Sequence, residues 1–532
     1  MLPDLPICPL LPEIAATLDA QNRAVLQAPP GAGKTTLVPL HLLDHIRGKI
    51  IMLEPRRLAA RHAAERMASL HGSGVGDVIG YRIRGESKAS AKTRIEVVTE
   101  GILTRMLQSD PELPGVGLVI FDEFHERSLT ADLGLALCLE VTEALRDDLK
   151  LLVMSATLDA APVAELMNAP ILTSEGRAFP VDIRHLPRPI GPGRWEPHLQ
   201  DLVAQAVQET EGGVLVFLPG EPEIRRAMSA LQGRLPKDCH IMPLFGALPF
   251  TEQRRATTPL DAGRKVVLAT SIAETSLTLP DISVVVDAGR ARRARFDPAS
   301  AMSRLVTEKA ARAEATQRAG RAGRVGPGTC YRLWTKGEDS ALPAFAPAEI
   351  EVADLAPLAL ELAAWGGTPD SMAFLTQPHP GSYAEAQDVL RMLDALDAKG
   401  RITDHGLALA KLPLHPRLGH MLLRAGSAAA PLAAMLEERD PMPEAGSDLA
   451  ARMRALADGH GAPGFKRVRA EAKRLERFCA PVSEALDVVE MAALAYPDRV
   501  ALRRKGDAPR YLLSGGKGAH LPDGDPLSAQ RL

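Results

Sequence analysis

The stretch Ala28-Pro29-Pro30-Gly31-Ala32-Gly33-Lys34-Thr35-Thr36 constrains the fold more than any other part of the chain. The apolar run Ala24-Val25-Leu26 before it reads as a strand, and Leu37-Val38-Pro39-Leu40-His41-Leu42-Leu43 after it reads mostly as helix. A strand, a glycine-rich turn and a helix N-terminus together make an anion cradle. Backbone N–H groups of the turn point inward, and the helix dipole adds partial positive charge. Lys34 is placed to reach the β- and γ-phosphates of a nucleotide and Thr35 to hold Mg²⁺, with Gly31, Ala32, Gly33 and Thr36 completing the cradle. The pattern G-x-x-x-x-G-K-[ST] opens with glycine; this chain has Ala28, where a small residue is expected to suffice.

At 532 residues the chain exceeds one compact core, and three or four domains are expected. With 24% charged and 46% apolar residues it has the composition of a soluble globular protein. Aromatics make up only 4%, which argues against base recognition by extensive stacking. The net charge of −3 gives no global sign of nucleic-acid binding, so any such surface has to be local. The five cysteines (Cys8, Cys138, Cys239, Cys330, Cys479) are scattered without a C-x-x-C pair, which speaks against a zinc site or disulfide framework and fits a reducing cytosol. No basic start followed by a long apolar run opens the chain, and no apolar stretch is long enough to span a bilayer. A cytoplasmic protein with no membrane partner is expected.

Short β-rich runs alternate with helical patterns over about 1–190: Lys49–Leu53, Ile95–Val98, Val116–Phe121 and Lys150–Met154. Such alternation indicates parallel βαβ units in a doubly wound sheet, with the site at the carboxyl ends of the strands. Val116–Phe121 ends in Asp122-Glu123-Phe124-His125. An acidic pair at a buried strand tip suits Asp122 to binding Mg²⁺ through its hydration shell and Glu123 to polarising an attacking water. A second alternating series over about 191–345 runs through Gly213–Leu218, Lys265–Ala269, Ser283–Val286 and Thr329–Leu333. Pro180, Pro187, Pro189 and Pro192 read as a linker between the two.

These residues resemble a known family. Gly31-Ala32-Gly33-Lys34-Thr35, Asp122-Glu123-Phe124-His125 and Ser155-Ala156-Thr157 look like motifs I, II and III of superfamily-2 helicases, in the D-E-x-H form of the DEAH group. Glu54-Pro55-Arg56-Arg57-Leu58-Ala59-Ala60 is similar to motif Ia, Thr99-Glu100-Gly101-Ile102-Leu103 to motif Ib and Gly213–Gly220 to motif IV. Thr270–Thr278 resembles motif V, and Gln317-Arg318-Ala319-Gly320-Arg321-Ala322-Gly323-Arg324 resembles motif VI. The run Asp122–Leu129 most resembles the bacterial HrpB-type ATP-dependent RNA helicases. The resemblance implies an α/β fold of two tandem RecA-like parallel-sheet lobes, followed by a winged helix and a helical bundle. ATP and Mg²⁺ are the implied cofactors.

It also implies roles. Glu123, Gln317, Arg321 and Arg324 are the expected catalytic groups, the two arginines entering in cis as fingers from one side of a helix. Such a finger is worth about 10³–10⁵ in rate in other nucleotide hydrolases. His125 joins the nucleotide side. Arg57, Thr99, the Gly101 N–H and Thr270 are expected on the sugar-phosphate backbone of a single strand, contacts that read no sequence. Arg56 and Arg57 are alternatively ordinary surface charges. DEAH proteins sandwich the base between an arginine and a phenylalanine; Arg66 fits the first place, while Thr257 stands at the second. Poor base discrimination, with other nucleoside triphosphates accepted, is therefore expected. The basic run Arg290–Pro298, with Arg292 and Arg293, falls where the family has a β-hairpin against nucleic acid.

Further on, Val352–Trp365 and Ala384–Leu396 are amphipathic, Lys399-Gly400 and Asp404-His405-Gly406 read as turns, and Leu407–Leu412 as a short helix ended by Pro413 and Pro416. A winged helix is expected over 346–412, a ratchet-like helical bundle over 413–500 and the start of a further domain over 501–532. Lys466, Arg467, Arg469, Lys473, Arg474 and Arg477 form a basic face, either solvated or in contact with RNA. The implied activity is ATP hydrolysis stimulated by nucleic acid and coupled to 3′-to-5′ movement on single-stranded RNA. RNA with a 3′ single-stranded end is the implied partner, and DNA stays open because backbone contacts need not read the 2′-OH. The rival is a nucleotide-controlled RNA clamp that does not unwind processively.

Overall fold

Runs of aliphatic and β-branched residues build the first sheet. Its strands are β1 (Arg23–Gln27), β2 (Lys49–Glu54), β3 (Ile79–Ile83), β4 (Glu86–Lys88), β5 (Ile95–Thr99), β6 (Val116–Phe121), β7 (Lys150–Ser155) and β8 (Ile171–Thr173), in the order β4-β3-β5-β2-β6-β7-β1-β8. Among the pairings described, only β3–β4 is antiparallel. The computed structural model describes residues 3–156, 160–175, 179–191, 193–274, 279, 281–297, 302–480, 486–506 and 508–531, with backbone alone at 100 and 250.

A parallel sheet needs cover on both faces. Helices Lys34–Leu42, Arg57–His71, Glu100–Ser109, Leu129–Ala144 and Ala160–Met167 belong to the same lobe. On Arg57–His71 the buried residues are Ala59, Ala60, Ala63, Ala64, Met67 and Ala68, a stripe at helical spacing whose small side chains let the helix lie close. Register then brings the strand ends level: Gln27 pairs with Ser155, Leu53 with Phe121 and Glu54 with Thr99. Segments 28–33, 55–57, 99–101, 122–127 and 155–156 therefore leave the sheet along one edge.

The second sheet has β9 (Val181–His185), β10 (Gly213–Phe217), β11 (Cys239–Leu244), β12 (Arg264–Ala269), β13 (Ile282–Asp287) and β16 (Gly328–Arg332), in the order β11-β12-β10-β13-β16-β9. All its pairings described are parallel. Here the expected boundary at 190/191 moves, because β9 pairs with β16 from Val181↔Gly328 to His185↔Arg332. The segment read as a proline linker thus holds an edge strand. Pro180 and Pro187 flank it without interrupting its donors, which an edge position tolerates. The basic run forms β14 (Arg290–Asp297), paired in a two-stranded sheet with β15 (Met302–Lys309); Pro298 lies outside the described residues.

Contacts divide the chain into two units. One comprises Met1–Phe296, Ser303–Ala353 and Met372–Gln377; the other comprises Asp297–Met302, Asp354–Ser371 and Pro378–Leu532. The second unit carries helices Ala356–Trp365, Pro380–Met392 and Asp404–Ala410, with an antiparallel bridge Leu396↔Ile402. Asp404-His405-Gly406 is thus not a turn. Thr403 Oγ1 accepts from the Gly406 N–H at 2.9 Å and caps a helix that starts there. Pro416 likewise opens a helix, Pro416–Ala425, where its missing N–H costs nothing. Helices Ala430–Glu437, Leu449–Ala457, Pro463–Leu475 and Val488–Ala495 follow, then three antiparallel strands, β17 (Ala501–Arg503), β18 (Arg510–Leu513) and β19 (Gly518–His520). Lys466, Lys473 and Arg477 are exposed, as is Arg467, which lies 3.5 Å from Glu438; Arg474 pairs with Glu471 at 2.6 Å and Arg469 donates to the His460 carbonyl at 2.9 Å. Among the described residues no helix is long and apolar enough to cross a membrane.

Gly117 in β6 is packed so tightly that a Cβ would collide with the Arg47 carbonyl oxygen and press on Ile46. Gly117→Ala is expected to destabilise the first sheet by about 1–3 kcal/mol, read as a lowered thermal midpoint with the second sheet's own mutants as controls.

Candidate active site

The cradle forms as its sequence requires. Ala28 is fully buried, keeps a negative φ and donates its N–H to the Ser155 carbonyl at 3.0 Å, so no glycine is needed there. Gly31 and Gly33 do take positive φ, 86° and 99°. A Cβ on Gly33 would lie 2.8 Å from Leu5 Cδ1, and the Ile7 N–H donates to the Ala32 carbonyl at 3.1 Å. Residues 5–7 brace the cradle from outside, a contact without any motif. Thr36 closes the first turn, its N–H donating to the Gly33 carbonyl at 3.2 Å.

Lys34 and Thr35 open the helix and meet the tip of β6. Lys34 Nζ, buried, lies 3.3 Å from Glu123 Oε1 and 3.4 Å from Oε2. Thr35 Oγ1 donates to Asp122 Oδ2 at 2.5 Å. Glu123 itself sits at φ 51°, ψ 32°, and Arg127 at φ 50°, ψ 45°. Left-handed backbone at a non-glycine residue stores of order 1–3 kcal/mol. It is held by the Glu123 N–H donating to Asp122 Oδ1 (2.8 Å) and by Arg127, which pairs with Asp132 at 3.0 Å and donates to Thr376 Oγ1 at 2.9 Å. The Arg127 carbonyl also accepts from the Glu349 N–H at 3.0 Å, while Glu349 Oε2 accepts from the Leu129 N–H at 2.7 Å.

Burial governs the electrostatics. It pushes Asp122 up to about 6, with Lys34 pulling back and the Glu123 charge adding to the rise. Burial opposes the Glu123 charge as well, but Lys34 and His125 outweigh it and hold that carboxyl down, at about 2. Burial lowers the His125 pKa, with Glu123 pulling it back up; its Nδ1 is 3.4 Å from Glu123 Oε2.

From the second sheet, Gln317 Nε2 reaches His125 Nε2 at 2.8 Å. The motif VI arginines do not share one helical side, because the helix Arg312–Gly320 ends before two of them. Arg318, in its last turn, turns into the second lobe. It pairs with Glu274 at 2.6 Å and Asp287 at 2.9 Å and stacks over Phe217 at 5.3 Å. Arg321, at the C-cap, donates Nε–H to the Glu274 carbonyl at 2.7 Å, and Glu123 faces both Arg321 and Arg324. Burial pulls the Arg321 pKa well below its usual value and brings Arg324 to about 10. On Arg321 burial outweighs the pull of Glu123 and Glu274, and on Arg324 it outweighs that of Glu123. Cradle, Thr35–Asp122 pair and depressed guanidiniums fit a nucleotide with Mg²⁺.

Of the strand-side residues, Arg57, Thr99 and Gly101 lie at the ends of first-sheet strands, and Thr270 follows β12 of the second sheet. Arg57 and Gly101 are exposed, Thr99 is half-buried at the N-cap of Glu100–Ser109, and the half-buried Thr270 donates its N–H to the Leu244 carbonyl at 3.1 Å. Thr157 and Thr275–Thr278 lie outside the described residues. Arg66 is exposed on its helix, and Thr257 ends the helix Phe250–Thr257. His62, one turn before Arg66, is lowered by burial, with Arg61 and Arg254 adding to the drop. Arg292 and Arg293 do not stand free for nucleic acid. Arg292 pairs with Glu223 at 3.2 Å, and Arg293 with Glu308 at 3.3 Å and Glu314 at 2.5 Å. Carboxylates on neighbouring elements, invisible in a local reading, neutralise them.

The DEAD/DEAH box helicase profile matches residues 12–166, and the helicase conserved C-terminal domain profile matches residues 197–326. A crystal structure of the Escherichia coli DEAH/RHA helicase HrpB superposes with a TM-score of 0.90 at 44% identity, covering 99% of this chain and 67% of that one. The chain belongs to the HrpB-type DEAH-box helicase family. Over the sequence, Escherichia coli ATP-dependent RNA helicase HrpB is 45% identical across 98% of this chain, and this chain spans 65% of that relative's length. Escherichia coli HrpA is 35% identical over 79% of the chain, which covers 33% of HrpA.

For this family member the raised Asp122 has a consequence. A hydrated Mg²⁺ held by Asp122 would need the ionised carboxylate, whose fraction falls as pH drops through about 6, roughly tenfold per unit below that. Calorimetric binding of Mg²⁺–nucleotide is expected to weaken correspondingly from about pH 8 to about pH 5, and Asp122→Asn should bind weakly at every pH.

Proposed function

We propose that the chain is an RNA-stimulated ATPase that moves 3′ to 5′ on a single strand and unwinds duplexes, as the name ATP-dependent RNA helicase given to its relatives suggests. The observation that carries this reading is the joining of two sheets in one site: Gln317 of the second meets His125 of the first at 2.8 Å, with Arg321 and Arg324 facing Glu123. Hydrolysis then needs both lobes. Lys34 and the cradle bind the phosphates, Thr35 and Asp122 hold Mg²⁺, and Glu123 takes the proton of an attacking water. Mg²⁺ supplies charge neutralisation on the phosphates. Arg321 and Arg324 stabilise the charge of the transferring phosphoryl group, and Gln317 orients the water.

A single strand lying on Arg57, Thr99 and Gly101 of one lobe and Thr270 of the other would favour the joined form. Linkage makes the effect reciprocal, so nucleotide changes RNA affinity by the factor by which RNA changes nucleotide affinity. Residues 346–412 then act as a winged helix and 413–500 as a ratchet-like bundle. The scattered, free cysteines suit a cytoplasmic setting.

A strand-displacement assay on an RNA duplex with a 3′ overhang tests the reading. Displacement with ATP is the expected result; ATP hydrolysis without displacement assigns a nucleotide-controlled clamp. Glu123→Gln should bind nucleotide about as well as wild type and turn over at least about 10³-fold slower. Arg324→Ala should stay slow even at saturating RNA. With Thr257 at the base, GTP, CTP and UTP should support turnover within a few-fold of ATP; a strong preference for ATP in steady-state assays would assign base reading to another residue.

A further inference from the structure

Arg56 and Arg57 are neighbours after β2, and their side chains differ in surroundings. Arg57 is exposed. Arg56 Nη1 donates to the Ser271 carbonyl oxygen at 2.6 Å, and its Nη2 lies 3.1 Å from Glu126 Oε1. Glu126 closes the short turn that carries Glu123, and Ser271 follows β12 of the second sheet. One guanidinium therefore ties together the segment after β2, the catalytic turn and the second lobe. Burial works against its charge, yet Glu126, Glu274 and Glu123 outweigh that and hold its pKa above the ordinary value.

The connection runs on. Ser271–Ala273 is a single 3-10 turn, and the next residue, Glu274, holds Arg318 through its carboxylate and Arg321 through its carbonyl, at 2.6 and 2.7 Å. A short, hydrogen-bonded stretch thus leads from the carbonyl that Arg56 grips to the one that positions the Arg321 finger. A planar fork makes both contacts at once, which a single ammonium does not.

We propose that Arg56 is the positioning residue that passes occupancy of the strand contacts at Arg57, Thr99 and Gly101 to the nucleotide site, by holding the Glu126 turn and the Ser271–Glu274 turn in register. This rests on the RNA-stimulated ATPase reading above. A phosphate on Arg57 fixes the backbone from which Arg56 reaches inward; of the two turns that Arg56 grips, one carries Glu123 and the other holds Arg321 through the Glu274 carbonyl. Arg56 touches neither phosphate nor water itself.

ATPase rate against poly(U) concentration, with poly(U) affinity measured with and without a non-hydrolysable ATP analogue, tests it in the full chain. In Arg57→Ala the half-saturating poly(U) concentration should rise while the plateau is kept. In Arg56→Ala the stimulated plateau should fall roughly tenfold toward the unstimulated rate, nucleotide-free poly(U) affinity should hold within about twofold, and the analogue should cease to change that affinity. Glu126→Gln should lower the plateau too, and adding it to Arg56→Ala should lower it no further. Arg56→Lys, which keeps the charge and secures a folded comparison, should show an intermediate plateau. The proposal is overturned by a weakened poly(U) affinity with an intact plateau, by equal losses of stimulated and unstimulated rate, or by a wild-type plateau in Arg56→Lys. Wild-type protein unmoved by poly(U) would overturn the RNA-stimulated reading along with this one, and shows itself in the unmutated chain.

Discussion

Glu123 is held in a left-handed backbone conformation between buried cations, and the first lobe's site is built around keeping it there. The strain is of order 1–3 kcal/mol, a size that a few good contacts offset. Asp122 accepts the Glu123 N–H and Lys34 from the cradle pairs with its carboxylate, while Arg127, left-handed at the other end of the same turn, is held by Asp132 and Thr376. Charge balance adds a second constraint. Removing one member of a buried ion pair costs about 3–5 kcal/mol because its partner stays uncompensated. Lys34 therefore serves the fold of the site as well as any ligand. The cradle and the acidic strand tip are one electrostatic unit, although 89 positions separate Lys34 from Glu123 in the chain.

Much of this was legible in the sequence because the chemistry is local. Cradle glycines, a Lys-Thr pair and an acidic strand tip each occupy a few consecutive residues, and continuous apolar runs mark the buried parallel strands that align them. Strands short and polar at one face were not legible. Val181–His185 lies among prolines with three exposed residues of five, and only its pairing with β16 reveals it as sheet. The brace at Leu5–Ile7 and the latch from Glu349 carry no motif at all. They depend on which loops the fold brings to the strand tips, which is tertiary information.

Arginines show the limit most clearly. Arg318, Arg321 and Arg324 stand at equal spacing in one motif, yet one is a structural anchor with two buried carboxylates and two face Glu123. The helix stops at Gly320, and the turn that follows redirects the chain, so helical periodicity no longer predicts direction. Arg56 and Arg57 differ in the same way, one inward and one exposed. Arg292 and Arg293 looked like phosphate ligands for their local charge, and Glu223, Glu308 and Glu314 from other elements cancel it. A charged side chain's role is set by what lies across from it, and a single sequence does not contain that list.

The two kinds of contact around motif VI also divide the labour of a cycling site. Arg318 is sunk in the second lobe with Glu274 and Asp287, charge to charge and out of solvent, so it stays fixed. Across the lobes, the link from Gln317 to His125 is of another kind. At 2.8 Å between Gln317 Nε2 and His125 Nε2, the imidazole nitrogen has to accept, which requires a ring without a proton there. Burial lowers the His125 pKa, and its Nδ1 lies 3.4 Å from Glu123 Oε2 and 3.4 Å from the Ala156 nitrogen. A neutral hydrogen bond of this sort contributes about 0.5–1.5 kcal/mol net. That is enough to orient Gln317 when the lobes meet and too little to lock them together. An anchor sunk between two buried carboxylates and a bridge of one neutral hydrogen bond therefore differ in what their separation costs.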